Sequence, residues 1–146
     1  MREFVNTYDP KKVIITFGGV PLTGFADGTF VQIDPSSEFA TKKVGADGEV
    51  IRSLSNDFTH TIQITLSQTS ASNNYLSTCA NIDKLSGKGM LPLSIVDLNG
   101  TTVHFWAQAW ISQEPSETYE KESGDRQWTF ETGQEATAVI GGNILP

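Results

Sequence analysis

The chain has 146 residues, of which 38% are apolar, and this length and composition suit a single domain (residues 1–146) with a sizeable core. A formal net charge of −7 and a pI of about 4.7 exclude a conventional nucleic-acid-binding domain and argue against a peripheral membrane protein, since both need basic clusters. One cysteine and two histidines exclude a disulfide framework and a cysteine-based zinc site, and leave little material for a catalytic metal.

The N-terminal segment MREFVNTYDPKK carries charges and lacks an apolar run, so it does not have the pattern of a secretory signal. Nowhere does the chain approach the ~18–20 apolar residues of a transmembrane helix. We therefore expect no membrane anchor, and folding in a reducing cytosol.

The first part of the chain predicts short strands separated by turns. A strand candidate covers 12–18, and two further candidates, 20–25 and 29–34, flank an Asp-Gly pair at 27–28. Because Asp-Gly between apolar segments favours a β-hairpin, the second and third candidates are predicted to pair with each other.

Residues 35–57 contain few apolar side chains and are predicted to protrude as a loop or hairpin. An Asp-Gly pair at 47–48 places the turn between two arms, 41–45 and 49–53. A loop of this length in a compact domain is usually functional or disordered. Two interpretations remain open, a mobile surface flap and a flap that orders against another subunit.

Residues 58–67 have the clearest strand pattern. Apolar and polar side chains alternate there with the two-residue period of a strand that has one face on a core. The opposite face is polar and contains no charged residue. The core face carries His60, Ile62, Ile64 and Leu66.

Residues 70–83 are predicted to form a helix that flanks the strands. Apolar residues recur there at a spacing of three to four, Ser70 or Ser72 can cap the start, and glycines follow the end. Cys79 lies among apolar residues without cationic neighbours, so we expect a buried, unreactive thiol.

An Asn-Gly pair at 99–100 predicts a hairpin between strands 91–98 and 102–112. In the second strand, simple alternation predicts a core face with Val103, Phe105, Ala107, Ala109 and Ile111. The opposite face then holds His104, Trp106, Gln108, Trp110 and Ser112. Two tryptophans away from the core need a partner, whether a helix, a sheet or a neighbouring subunit.

The last part of the chain predicts an acidic, solvated loop over 113–125 and one long final strand over 126–140. The elements then amount to about eight strands and one helix. This content predicts a mainly β fold, an antiparallel β-sandwich or barrel with one flanking helix and one long protruding loop.

Motifs that carry chemistry are missing from the sequence. There is no GxSxG elbow, no phosphate-binding loop and no calcium-loop pattern. Glu131 and Glu135 are four residues apart, roughly 13 Å along one strand, which exceeds the spacing of glycosidase carboxylates. We therefore expect no enzyme, no cofactor and no metal site.

The order of elements over most of residues 12–141 resembles the tail tube proteins of contractile-tailed bacteriophages and phage-like particles, which are related to type VI secretion tube proteins. The resemblance is carried by 59–79 (THTIQITLSQTSASNNYLSTC), where a polar-faced strand leads into a helix. It is also carried by 91–115 (LPLSIVDLNGTTVHFWAQAWISQEP), a strand, an Asp-x-Asn-Gly turn and a strand ending at Glu-Pro.

This resemblance implies a structural virion protein that self-assembles into stacked hexameric rings. The rings would form the inner tail tube, through which DNA passes into the host. The implied partners are copies of itself, the tail sheath protein, and the baseplate and tail terminator proteins. The implied location is the phage tail, after assembly in the cytoplasm of the bacterial host.

A duct for DNA should not grip phosphates, because each Lys or Arg contact adds affinity through counterion release. The polar, non-basic strand faces therefore supply the candidates for the lumen wall. These candidates are Thr59, Thr61, Gln63, Thr65, Thr129, Glu131, Glu135 and Thr137.

The protruding segment and the acidic loop supply candidates for contacts between subunits or rings. Apolar side chains would provide most of the adhesion through burial, and basic side chains would meet the acidic loop of a neighbour. These candidates are Phe39, Lys42, Lys43, Val44, Val50, Ile51, Arg52, Glu114 and Glu117.

Other interpretations remain open on the sequence alone. One is another ring-forming tail or contractile-injection component, such as a tail terminator, a bacteriocin tube or a type VI secretion tube. A second is a carbohydrate-binding β-sandwich module, in which Trp106, Trp110 and Trp128 would form an exposed aromatic platform. The exposure of the three tryptophans separates these classes.

Overall fold

Ten strands and one α-helix build the part of the chain that a computed structural model describes, residues 5–142 without the side chain of Thr137. A 3₁₀ turn at Pro10–Lys12 precedes the first strand. The strands are β1 (Val13–Phe17), β2 (Val20–Pro21), β3 (Val31–Pro35), β4 (Ala40–Val44), β5 (Val50–Leu54), β6 (His60–Ser67), β7 (Leu91–Asp97), β8 (Val103–Gln113), β9 (Asp125–Thr132) and β10 (Glu135–Val139). The helix α1 (Ser72–Ser86) lies between β6 and β7 in the chain.

Eight strands form one antiparallel sheet in the order β2-β1-β7-β8-β9-β6-β3, with β10 pairing to β8 on the side where β9 also pairs. The other two strands, β4 and β5, form a separate two-stranded sheet. The predicted fold class, mainly β and antiparallel with one helix, is confirmed.

The large sheet bends over itself so that its two edges approach each other. Leu22 donates its amide to Ile15 at one edge (2.9 Å), and Ala26 donates to Thr65 near the other (3.1 Å). Four residues of extended chain span at most about 14 Å. The segment 22–26 therefore draws the edges together, and the sheet forms a sandwich around its core rather than a closed barrel.

The core lies between the folded halves of the sheet and under the helix. Phe17 and Phe130 meet edge-to-face with ring centroids 5.1 Å apart, and both are fully buried, as is Trp106. Each such side chain contributes on the order of 1.5–3 kcal/mol by leaving water. The other buried apolar residues include Ile15, Ile62, Ile64, Leu66, Leu76, Leu93 and Ile95.

The helix covers the core and is tied to the sheet by side-chain hydrogen bonds. The Tyr75 hydroxyl donates to the Phe17 carbonyl, and Trp128 Nε1 donates to Asn73 Oδ1, both at 2.9 Å. The helix extends to Ser86, beyond the predicted end at residue 83, and stops at Gly87, whose φ of 69° is left-handed.

The predicted serine contact at the start of the helix is present at Ser70, one residue before the N-cap. Ala71 occupies the N-cap position without a side-chain hydrogen bond, and the Ser70 hydroxyl accepts from the Ser72 amide at 3.2 Å. The Ser72 hydroxyl instead accepts from the Thr23 amide at 2.9 Å, so it joins the helix start to the segment after β2.

The predicted hairpin across residues 27–28 is wrong. β2 pairs with β1, and β3 pairs with β6. The turn that joins β1 to β2 is Gly18-Gly19, where φ is 62° and 82°. Two successive positive φ angles are the geometry of a tight two-residue hairpin, which glycine adopts without strain.

The predicted faces of β8 are correct from Ala109 onward and wrong before it, because the strand contains a bulge. Leu93 lies opposite Trp106 while Leu91 lies opposite Ala109, so β8 has one extra residue between these pairs. This shift turns both Trp106 and Ala109 toward the core and leaves Phe105 partly exposed. The tryptophan predicted to need an outside partner is therefore buried.

The predicted single final strand is two strands, interrupted at residues 133–134 opposite the bulge of β8. Gly133 donates its amide to the Gln108 carbonyl at 2.8 Å. The interruption changes the alternation, so Thr132 and the Glu135 side chain both point inward. Glu135 is only 5% exposed and does not share a face with Glu131, contrary to prediction.

Candidate assembly surfaces

The outward side chains of β3, β6 and β9 form a continuous polar surface. Thr61 lies opposite Glu131, and Gln63 lies opposite Thr129. On the other side of β6, Asp34 lies opposite Thr61. We call this surface the polar face, and it consists of Gln32, Asp34, Thr61, Gln63, Thr65, Gln127, Thr129 and Glu131.

The polar face has acidic but no basic residues. Its two charged groups are the carboxylates of Asp34 and Glu131. The Thr61 hydroxyl donates to Glu131 at 3.0 Å, and the Gln32 amide donates to Asp34 at 3.1 Å. These bonds hold the carboxylates against the sheet, so the surface presents hydroxyls, amides and negative charge to its surroundings.

Five of the predicted lumen residues lie together on the polar face. Thr59 precedes β6, and its hydroxyl lies 2.6 Å from Asp57 Oδ1. Hydrogen bonding from Thr59 lowers the pKa of Asp57. Glu135 lies elsewhere, in the interior, and the side chain of Thr137 is outside the described part of the chain.

Sequence reasoning missed three members of the polar face, Gln32, Asp34 and Gln127. The signal was present, because each alternates with inward-facing residues of its strand, as Gln127 does with Trp128. What was not evident from the sequence was that β3 pairs with β6, which places its polar side chains on the same surface.

The acidic loop begins beside the polar face. Gln63 and Thr129 line a polar cleft of about 330 Å³ together with Glu114 and Asp125. The Glu114 carboxylate pairs with Lys84 of α1 in the same chain. Of the two acids predicted to contact a neighbour, Glu114 therefore has a partner within its own subunit, and Glu117 is exposed.

The hairpin formed by β4 and β5, which we call the projecting hairpin, is exposed on both faces. One face pairs Ala40 with Leu54, Lys42 with Arg52, and Val44 with Val50, and the other pairs Lys43 with Ile51. Phe39, just before β4, is 64% exposed. The predicted contact residues of this segment thus lie on one unit that projects from the sandwich.

Two features indicate that the projecting hairpin lacks a partner in the single subunit. Lys42 lies directly opposite Arg52, a like-charge pair that destabilises a two-stranded sheet. Within residues 5–142, neither these two side chains nor Lys43 forms an ion pair. An isolated two-stranded hairpin is marginally stable in water, so contact with another surface would stabilise it.

The tryptophans do not form the exposed platform on which the carbohydrate-binding alternative depended. Trp106 and Trp128 are 0% and 2% exposed, and Trp110 is half-buried beside Glu131. Nor does the described chain contain a group of three or more His, Cys, Asp or Glu side chains able to hold a metal ion.

Cys79 and Tyr75 are titratable side chains that pack in or against the core. Cys79 is buried as predicted, and burial raises the pKa of its thiol. Burial likewise raises the pKa of Tyr75 to about 12, which keeps its hydroxyl a hydrogen-bond donor to Phe17. Neither group is prepared for nucleophilic chemistry.

An acidic β-sandwich with a polar face and an unpartnered hairpin has the features of a structural subunit that works in an assembly. Residues 17–140 match the family of the bacteriophage PhiTE tail tube protein, and the chain belongs to this family. It is therefore a structural protein of the phage tail rather than an enzyme, and the resemblance read from the sequence is confirmed.

One relative is likewise named as a phage structural protein, and two solved structures share the fold. The chain is 28% identical over 138 residues to "Structural protein ORF10" of Pseudomonas phage KPP10, which covers 89% of this chain and 80% of that protein. Its fold is similar to the tube-terminating cap of the anti-feeding prophage AFP, with a TM-score of 0.61, 12% identity and coverage of 94% and 97% of the two chains. It is also similar to the sheath/tube terminator of the extracellular contractile injection system PVC, with a TM-score of 0.64, 10% identity and coverage of 91% and 97%.

The helical content of residues 5–142 includes no helix with both the length and the apolar character needed to cross a membrane.

Proposed function

We propose that this protein forms hexameric rings that stack into the inner tube of a phage tail, through which DNA passes into the host. The observation that carries the proposal is the family match over residues 17–140, together with a projecting hairpin that has no partner in the single subunit. The proposed partners are other copies of the chain, the sheath, the baseplate and the tail terminator, after assembly in the host cytoplasm.

The polar face supports a place on the lumen wall. Thr61, Gln63, Thr65, Thr129 and Glu131 present neutral or negative groups, and Thr59 adds a hydroxyl at one end. DNA phosphates gain no counterion-release affinity from such a surface, so the polyanion can slide past it. Thr137, whose backbone lies in β10, remains a proposed member of the wall, whereas the buried Glu135 does not.

The projecting hairpin supports contacts between subunits or rings. Its apolar side chains Phe39, Val44, Val50 and Ile51 are each more than half exposed. Burying one of them against a neighbour would contribute on the order of 1.5–3 kcal/mol. The basic side chains of the hairpin would pair with acids of a neighbouring loop such as Glu117; they are Lys42, Lys43 and Arg52. Each exposed ion pair contributes only ~0–1 kcal/mol, so these pairs would determine the register of the contact more than its strength.

A second candidate function is a terminator that forms one ring and does not polymerise. The observation in its favour is the similarity of the fold to two terminator and cap proteins, although identities of 10–12% show the fold alone. The two candidates differ in one observable, the growth of the ring into a tube.

Electron microscopy of negatively stained, concentrated protein tests both candidates, with Val50→Asp as the assembly variant and Leu85→Asp as its control. Both changes place a carboxylate at an exposed apolar position, one on the hairpin and one on α1. We expect tubes with a regular axial repeat for the wild type and for Leu85→Asp, and monomers for Val50→Asp. Rings without tubes would favour the terminator, and monomeric wild type at high concentration would contradict both.

A further inference from the structure

A buried cluster of ionisable side chains joins three strands in the interior. Glu135 Oε1 lies 2.5 Å from His104 Nδ1, and Glu135 Oε2 lies 3.4 Å from His60 Nε2. Trp106 Nε1 donates to His60 Nδ1 at 3.3 Å, and the Trp106 ring stacks on His104 with centroids 5.3 Å apart. The side chains of Glu135 and His104 are each 5% exposed, and that of His60 is 12% exposed.

The contacts define where the protons of this cluster sit. An indole nitrogen can only donate, so His60 Nδ1 must accept and the neutral ring carries its proton on Nε2, facing Glu135. His104 Nδ1 donates to the same carboxylate. With both rings neutral, the cluster therefore has a charge of −1, and the carboxylate is held by two N–H donors.

Successive protons have unequal effects on the cluster. A first proton on His104 Nε2 breaks none of these contacts and creates an imidazolium–carboxylate pair. A second proton must go to His60 Nδ1, where it displaces the Trp106 hydrogen bond, or to Glu135, where it removes the charge that both rings contact. All of the contacts therefore hold with no added proton or one. The second proton removes either the Trp106 hydrogen bond, if it goes to His60, or the charge that holds β10, if it goes to Glu135.

The cluster is the inward anchor of β10. Glu135 is the first residue of this strand, whereas Ala136, Ala138 and Val139 are exposed. Besides pairing with β8, the start of β10 is held by Glu135 and by Gln134, whose side-chain oxygen accepts from the Phe58 amide at 2.8 Å. Loss of the carboxylate contacts leaves β10 with its backbone pairing to β8 and with the hydrogen bonds of residues 134–135 to Asn56 and Phe58.

Other groups face the cluster from the remaining elements. Asp57, in the segment between the projecting hairpin and β6, interacts electrostatically with His60. Thr132 of β9 accepts from the His60 amide at 2.9 Å and is not titratable. Asp57 is half-buried, and its lowered pKa keeps it ionised through the neutral range, so it favours protonation of His60 rather than opposing it.

We propose that His60, His104 and Glu135 form an acid-sensitive latch that fastens β10 to the sheet at neutral pH and releases it when the cluster takes up two protons. Release is therefore expected as the protein is acidified from neutral pH. The latch belongs to the single subunit and does not depend on the proposed tube.

Hydrogen exchange of the β10 backbone amides at pH 7 and pH 4, corrected for intrinsic exchange rates, tests the latch in the full chain. In the wild type we expect protection of β10 to fall about 10- to 100-fold on acidification, as loss of a hydrogen bond to a charged group implies. Glu135→Gln should show low β10 protection at both pH values. Glu131→Gln, the same change at a half-exposed carboxylate on the polar face, should follow the wild type. Unchanged wild-type protection at pH 4, or a wild-type profile in Glu135→Gln, would overturn the proposal.

A second measurement needs no variant, because the chain has two histidines. Nitrogen-15 NMR of the imidazole rings reports the tautomer and titration of each. We expect His60 as the Nε2–H tautomer at neutral pH, and β10 release that follows uptake of the second proton. An Nδ1–H tautomer at His60, or release that coincides with protonation of His104 alone, would contradict the latch even if Glu135→Gln failed to fold.

Discussion

At the scale of the residue, the most informative side chains are the buried tryptophans, because each combines a large apolar ring with a hydrogen bond. Trp128 lies in β9 and donates to Asn73 in α1. Trp106 lies in β8 and donates to His60 in β6. Each ring therefore joins elements that are far apart in the chain, and its polar atom specifies one orientation within an otherwise apolar core.

Trp128→Phe should destabilise the fold by about 1–3 kcal/mol, because it removes buried ring volume and leaves Asn73 without its indole donor. Urea unfolding followed by circular dichroism measures this change. Trp110→Phe is the matched control, since Trp110 is only half-buried, and it should cost less. Equal losses in the two variants would show that the hydrogen bond to α1 contributes nothing measurable.

At the scale of the element, the inward and outward faces of a regular strand were predictable from the sequence, and irregularities in the pairing between strands were not. The alternation in 58–67 correctly predicted the core face of β6 at Ile62, Ile64 and Leu66. The faces before Ala109 in β8 and the position of Glu135 after β9 were wrong because a bulge in one strand meets an interruption in the next, around Gln108 and Gly133. This paired irregularity depends on how the two segments meet, and the sequence of either segment alone does not show it.

The candidate surfaces follow the same division. Five lumen candidates were found because they alternate within β6 and β9, and the hairpin because Asp-Gly marks its turn. Glu135 was misplaced by the interruption after β9, and Asp34 was missed because its partner strand was wrongly assigned. β2 pairs with β1 across Gly18-Gly19, and the sequence pattern predicted these glycines only as the end of the first strand.

Substitutions at the two glycines of the Gly18-Gly19 turn should destabilise the fold by different amounts. Gly19→Ala should cost about 1–2 kcal/mol for the left-handed backbone alone, since open space surrounds that position. Gly18→Ala should cost at least ~1 kcal/mol more, because its Cβ would lie 2.7 Å from the Tyr75 hydroxyl and 2.8 Å from Leu91. Thermal unfolding of both variants measures the difference, and the reverse order would contradict this packing.

At the scale of the whole molecule, charge is distributed unevenly. The chain carries −7 overall, yet the projecting hairpin carries Lys42, Lys43 and Arg52, and the polar face carries only negative charge. The turn of the hairpin also holds Asp47 and Glu49, which offset part of its positive charge, so the hairpin attracts acidic surfaces only locally. Assembly should therefore depend on specific contacts at the hairpin rather than on nonspecific association.

Gln63→Lys tests whether the polar face lines the lumen. Because Gln63 is half-buried at the surface, folding stability should change by no more than about 0.5 kcal/mol. Tubes of this variant should retain short labelled duplex DNA on pelleting at 50 mM salt and lose it at 200 mM, as counterion release predicts. Wild-type tubes should retain none.

Leu85→Lys, which adds the same charge at a position 89% exposed on α1, is the control for Gln63→Lys. It should retain much less DNA than the polar-face variant, because a lumen lysine repeats around a confined duct. Equal retention by the two lysine variants would contradict placement of the polar face inside the tube.

The position of β9 in the sheet has a consequence for the order of folding during synthesis. β9 lies between β8 and β6, so the half of the sheet with β1, β7 and β8 meets the half with β3 and β6 along this strand only once Asp125–Thr132 has left the ribosome. Until then, the halves are connected through 22–26, and Phe17 has not met Phe130. Pairings this distant in the chain form slowly. A nascent subunit therefore has no finished polar face until β9 has emerged, and copies made on neighbouring ribosomes become competent to join each other only after that point.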